Sequence, residues 1–107
     1  MVIVETSVFT RLIYQLMSDE DYHEFQTMLI DQPDAGKIIP GSGGIRKIRW
    51  SGSGRGKRGG SRLIYYWTTN LDQIYMLFAY AKNERNDLTK EQLKTLQKIV
   101  VLEFENE

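Results

Sequence analysis

Apolar side chains return every three or four positions along two early stretches and every second position along the middle of the chain. The change of period predicts the elements. Val8, Phe9, Leu12, Ile13, Leu16 and Met17 share one side of a helix that opens at Thr6 or Ser7. Ser18-Asp19-Glu20-Asp21 sets a hydroxyl three residues before an acid, a helix-start signal, and Tyr22, Phe25, Met28 and Leu29 follow as the apolar face. Pro33 cannot continue a helix and Gly36 supports a break, so this second helix is expected to end near Asp31 and pair with the first as a hairpin. Ahead of both, the β-branched run Val2 to Glu5 suits a strand.

The middle of the chain alternates. Lys37 to Ile39 is a short extended piece, Pro40-Gly41-Ser42-Gly43-Gly44 turns, and Ile45 to Trp50 puts Ile48 and Trp50 on one face, Lys47 and Arg49 on the other. Arg46 shares the parity of the apolar face and is expected at its rim. Ser61 to Thr68 sets Arg62, Ile64 and Tyr66 against Leu63, Tyr65 and Trp67. After a turn at Asn70 to Gln73, Ile74 to Ala81 is a third apolar strand, with Met76, Phe78 and Tyr80 at one parity and Tyr75, Leu77 and Ala79 at the other. Thr89-Lys90-Glu91-Gln92 is a capping box opening a last helix, whose stripe is Leu93, Leu96, Ile99 and Val100. The order β-α-α-β-β-β-α places the chain in the α+β class: an antiparallel sheet of three to four strands, with the N-terminal helical hairpin and the C-terminal helix on a face. A length of 107 residues supports one domain, 1–107, around one modest core.

Charge changes the picture because it is segregated. Formal net charge is zero, yet residues 35–71 carry eight Lys or Arg and no acid, while residues 1–34 carry seven acids against Arg11 alone. All nine glycines fall between Gly36 and Gly60, so those cations sit on a backbone able to approach a polyanion closely. Lys47, Arg49, Lys57, Arg58, Arg62 and Lys82, interleaved with Tyr65, Tyr66 and Tyr80, combine phosphate grip with rings that stack on unpaired bases, which suits single-stranded RNA. RNA brings its own nucleophile, the 2′-hydroxyl. Cleavage then needs a base, an acid for the leaving oxygen and cations for the developing charge.

Other chemistries fall away. The chain has no cysteine and one histidine, which excludes disulfides and thiolate or histidine-rich metal sites, and no metal or cofactor is expected. His23 stands among Asp19, Glu20, Asp21 and Glu24 and reads as a surface residue. Gly54-Arg55-Gly56-Lys57-Arg58-Gly59 has dinucleotide-loop spacing, but a strand follows where a helix should begin. As a P-loop it also fails, with Ser51 in place of the first Gly and Arg58 in place of Ser or Thr. No apolar run approaches a membrane span and the N-terminus lacks a signal-peptide pattern, so no membrane partner and a cytoplasmic location are expected.

Ile45-Arg46-Lys47-Ile48-Arg49, then Arg62-Leu63-Ile64-Tyr65-Tyr66, then Ala81-Lys82-Asn83-Glu84-Arg85, in this order after a helical hairpin, resemble the RelE/ParE superfamily of toxins. Gly-Lys-Arg-Gly-Gly-Ser-Arg at 56–62 is most similar to the RelE/HigB mRNA interferase branch. The resemblance implies a type II toxin–antitoxin toxin, a ribosome-dependent endoribonuclease that cuts translated mRNA and is inhibited by a cognate antitoxin. It implies catalytic roles for Lys47, Arg49, Arg62 and Lys82, with Arg62 stabilising the phosphate. Tyr80 joins them as a candidate, and Arg46, Arg55, Lys57, Arg58 and Tyr66 are expected to bind RNA. In RelE an arginine stands where this chain has Asn83, and a catalytic tyrosine where it has Thr89, so the acid and base are not inherited. Tyr80, Tyr66 and Glu84 are the alternatives. A non-enzymatic ParE-like gyrase inhibitor, or a simple RNA-binding module, is the competing reading.

Overall fold

The computed structural model describes residues 1–51, 60–84 and 87–105. A five-stranded sheet separates two helical layers. Strands β1 (Val2–Glu5), β2 (Lys37–Ile38), β3 (Arg46–Trp50), β4 (Ser61–Thr68) and β5 (Gln73–Ala81) lie in the order β1-β5-β4-β3-β2. Neighbours are antiparallel except β1, which runs parallel to β5. The sheet therefore has one or two strands more than the alternation predicts. The addition is the two-residue Lys37–Ile38, expected only as a short extended piece, while Val2–Glu5, expected as a strand, returns beside the last one.

Helices α1 (Ser7–Leu16) and α2 (Asp19–Asp31) start where the sequence signals place them. Thr6 Oγ1 accepts from the Phe9 amide at 3.0 Å, and Ser18 Oγ accepts from the Asp21 amide at 3.1 Å. Each side chain takes up one of the amides a helix start leaves without a partner. The hairpin buries Phe9, Ile13, Phe25 and Leu29 against Leu63, Tyr65, Ile74, Met76 and Ala79, with Ile48, Trp50 and Trp67 packed around them. Helix α3 (Lys90–Val100) covers the opposite face. Its Thr89 capping box is closed by bonds of 3.0 and 2.9 Å with Gln92, and Leu96 and Val100 pack on Ile45, Ile64, Leu77 and Tyr80. The helices are thus on both faces rather than one, because β4 and β5 are apolar at both parities.

The parity expected for the third strand fails at one residue. Tyr65 pairs with Met76 and Ile64 with Phe78, which leaves Leu77 as a bulge. Beyond it the faces exchange: Ile74, Met76 and Ala79 meet the hairpin, while Tyr75, Leu77, Phe78 and Tyr80 meet α3. The bulged Leu77 carbonyl accepts from the Thr6 hydroxyl at 3.1 Å, so the irregularity does not strand a polar group. Its consequence for function is that Tyr80 turns to the face that carries Arg62.

Candidate RNA-binding and cleavage face

Register assembles the cations. On the α3 side of the sheet, Arg49 is the partner of Arg62 across β3 and β4, and Arg62 is the partner of Tyr80 across β4 and β5. One step along, Lys37 is the partner of Lys47, and Lys47 of Ile64. Opposed residues on neighbouring strands point to the same face, so Lys37, Lys47, Arg49 and Arg62 form a two-row patch. Arg49 and Lys37 are exposed, Lys47 and Arg62 half-buried. Lys82 follows β5 directly. Its amide donates to the Gly60 carbonyl at 3.3 Å, which brings its exposed residue beside the start of β4.

Gly60 makes this end of the sheet possible. Its φ is +62°, and a Cβ there would stand 2.6 Å from the Trp50 carbonyl oxygen. Only glycine lets the chain enter β4 this close to β3, and Arg62 lies two residues on.

Two residues join the patch that the sequence reading does not single out. Asp87 Oδ1 lies 3.1 Å from Lys47 Nζ and accepts from its neighbour's amide, Leu88 N, at 2.9 Å. It precedes the Thr89 cap of α3, so the helix start aims a carboxylate at the sheet. An acid beside a capping box was visible in sequence; its partner forty positions away was not. Lys37 is brought opposite Lys47 by the Pro40–Gly44 turn, in which Gly41, Gly43 and Gly44 take positive φ and Ser42 Oγ accepts from the Ile45 amide at 3.0 Å. A two-residue strand is too short for alternation to show its faces.

Several expected residues belong elsewhere. Arg46 lies on the hairpin face, where its guanidinium donates to the Gly36 carbonyl at 2.7 Å and sits 5.9 Å above the Trp67 ring. It holds the Asp34–Gly36 turn, on the face opposite Lys47 and Arg49. Tyr80 is 4% exposed and packs under α3, with the Phe78 ring 6.1 Å away, so its phenol is enclosed by the α3 layer. Tyr65 is fully buried, donating to the Pro33 carbonyl at 2.7 Å and accepting from Gly36 N at 2.9 Å, and burial pushes its phenol pKa up. Tyr22 is raised likewise by burial and by its hydrogen bond to Glu5. Tyr66 is half-buried on the α3 side, its ring 3.3 Å from where a Gly44 Cβ would stand, at the far end of β4 from Arg62. Glu84 is exposed in the turn after Lys82. Arg55, Lys57 and Arg58 lie outside the described residues.

The patch is open and cationic. An apolar cavity of about 230 Å³ lies between β5, α1 and α3, but Thr6, Val8, Leu77, Phe78, Leu96 and Ile99 give it no titratable group. Among the described residues no cluster of His, Asp or Glu has the make-up of a metal site, and no helix is long and apolar enough to cross a membrane.

A family model described as the RelE toxin of the RelE/RelB toxin–antitoxin system matches residues 4–105. The chain belongs to the RelE toxin family. Among solved structures, a mutant of the E. coli toxin RelE in its free state matches with a TM-score of 0.60, covering 92% of this chain and 96% of that one at 12% identity. At that identity the likeness is one of fold, and it extends over both helical layers and the sheet.

Proposed function

We propose that this toxin is a metal-independent endoribonuclease that cuts mRNA on translating ribosomes and so stops translation, with a cognate antitoxin as its inhibitor. The observation that carries the reading is the convergence of Lys47, Arg49 and Arg62 on one face by strand register, with Lys82 at its end. In the reaction the 2′-oxygen bonds to the adjacent phosphorus, the 5′-oxygen leaves, one proton departs from the 2′-hydroxyl and one is delivered to the leaving oxygen. Arg62 meets the phosphoryl oxygens, because its planar guanidinium can donate twice to them as charge builds. Lys47, held by Asp87, is placed to handle a proton, and Arg49 and Lys82 grip the flanking chain.

The site lacks a histidine pair to drive cleavage unaided, so the ribosome is expected to complete it by presenting the mRNA in a reactive geometry. Incubation with naked mRNA and with initiated ribosomes tests this: cutting should require the ribosome, and comparable cutting of both substrates would refute the dependence. Mapping transcript 5′ ends after brief induction tests the class. Cuts inside translated coding regions are expected, whereas arrested replication with intact transcripts would mark a gyrase inhibitor.

A further inference from the structure

Lys37 and Lys47 are Cα partners on β2 and β3, so two lysine side chains leave the same face side by side. Like charges in that position destabilise a sheet unless an anion lies between or beside them. Asp87 answers Lys47 alone, at 3.1 Å. Lys37 is exposed and has no ion pair among the described residues, and it stands on a strand only two residues long, at the edge of the sheet. One acid against two lysines leaves one positive charge, the complement of a single phosphodiester.

The spacing says which phosphodiester. Arg62 lies two strands across and two residues along from Lys37, about 12 Å between Cα positions for ordinary strand geometry. Lys47 and Arg49 both stand nearer to Arg62 than Lys37 does, which places Lys37 for a neighbouring phosphate rather than the one Arg62 meets. Arg49, one strand across, lies between them. We propose that Lys37, at the β2 edge beside Lys47, forms a subsite for an RNA phosphodiester outside the bond that is cut, so that the RNA backbone leaves the reaction centre over β3 toward the β2 edge. This rests on the RNA-cleaving reading of the same face. Lys37 anchors substrate and takes no part in the chemistry; Asp87, by neutralising Lys47, keeps the pair of lysines from repelling each other when RNA is absent.

The test uses the full-length protein and ribosomes carrying a 2′-O-methyl mRNA, which binds without being cut. Affinity is measured against salt for Lys37→Gln, Lys37→Arg, Arg49→Gln and, as a control for general charge, Lys98→Gln on the exposed side of α3. Losing one phosphate contact should lower the slope of log affinity against log salt by roughly 0.7 and weaken binding by about threefold at moderate salt. Lys37→Gln should show that loss with its single-turnover rate at saturation intact, Lys37→Arg should restore binding, and Lys98→Gln should match the parent. If Arg49→Gln weakens binding but Lys37→Gln does not, the subsite is refuted and the cleavage face stands. If neither weakens it, the RNA-binding reading of the face falls. A loss shared by Lys98→Gln, or a drop in the saturated rate for Lys37→Gln, overturns the anchoring role.

Discussion

Arg62 stands between Arg49 and Tyr80 on neighbouring strands, and its backbone is held by sheet pairing on both sides. A charged group so constrained can tighten on a phosphoryl group in the transition state without reorganising. Arg62→Ala is therefore expected to lower the single-turnover rate about a hundredfold, roughly 3 kcal/mol, with a smaller loss of ribosome affinity. Arg62→Lys should recover binding better than rate, since one ammonium cannot make the paired contact. An alanine variant that keeps most of its rate, or that only melts early, would remove Arg62 from the chemistry. Tyr80 provides the contrast. Buried under Leu96 and Val100, it should matter for its ring: Tyr80→Phe is expected to keep the cleavage rate within about threefold, and Tyr80→Ala to lose about 3–5 kcal/mol in denaturant unfolding. A collapse of the saturated rate in a stably folded Tyr80→Phe would restore the phenol as a proton donor.

Between residues and fold stand the devices that aim each strand. The Leu77 bulge turns Tyr80 and Phe78 to the α3 side, the Thr89 box sets where α3 begins, and Gly60 lets β4 start against Trp50. Gly60→Ala tests how tightly these devices control the site. Its Cβ meets backbone atoms at 2.6 and 3.0 Å in a φ that side chains disfavour, so a cost of about 1–3 kcal/mol is expected together with a loss of activity larger than the lost stability explains. Melting and single-turnover rate measured on the same preparation decide it; unchanged activity would show that Arg62 does not depend on the turn. The helix starts were legible because a cap is chemistry between residues three apart, as with Thr6, Ser18 and Thr89. The bulge was not, because it reflects how β5 meets both β4 and Thr6, and Ile74 to Ala81 is apolar at either parity.

For the molecule as a whole, a neutral chain presents a cationic face because its acids and bases are separated along the sequence and then in space. Binding to ribosomes should fall steeply with salt, and replacing Arg55, Lys57 and Arg58 together with Gln should flatten that dependence while leaving the saturated cleavage rate largely unchanged. A large loss of that rate would move these three residues into the reaction centre. Composition, period and capping signals suffice for the α+β class with a basic strand pair, since each depends on residues near one another in the chain. They also place Lys47 and Arg49 opposite Ile48 and Trp50, because alternation along a half-buried strand leaves little choice of face. Long-range pairing decides the remainder. The partnership of Arg62 with Tyr80, the meeting of Lys47 with Asp87 and the placing of Lys37 opposite Lys47 all depend on register and on helices covering both sides. Register is an energy of packing between segments distant in sequence, and a shift of one residue would carry every one of these side chains to the other face.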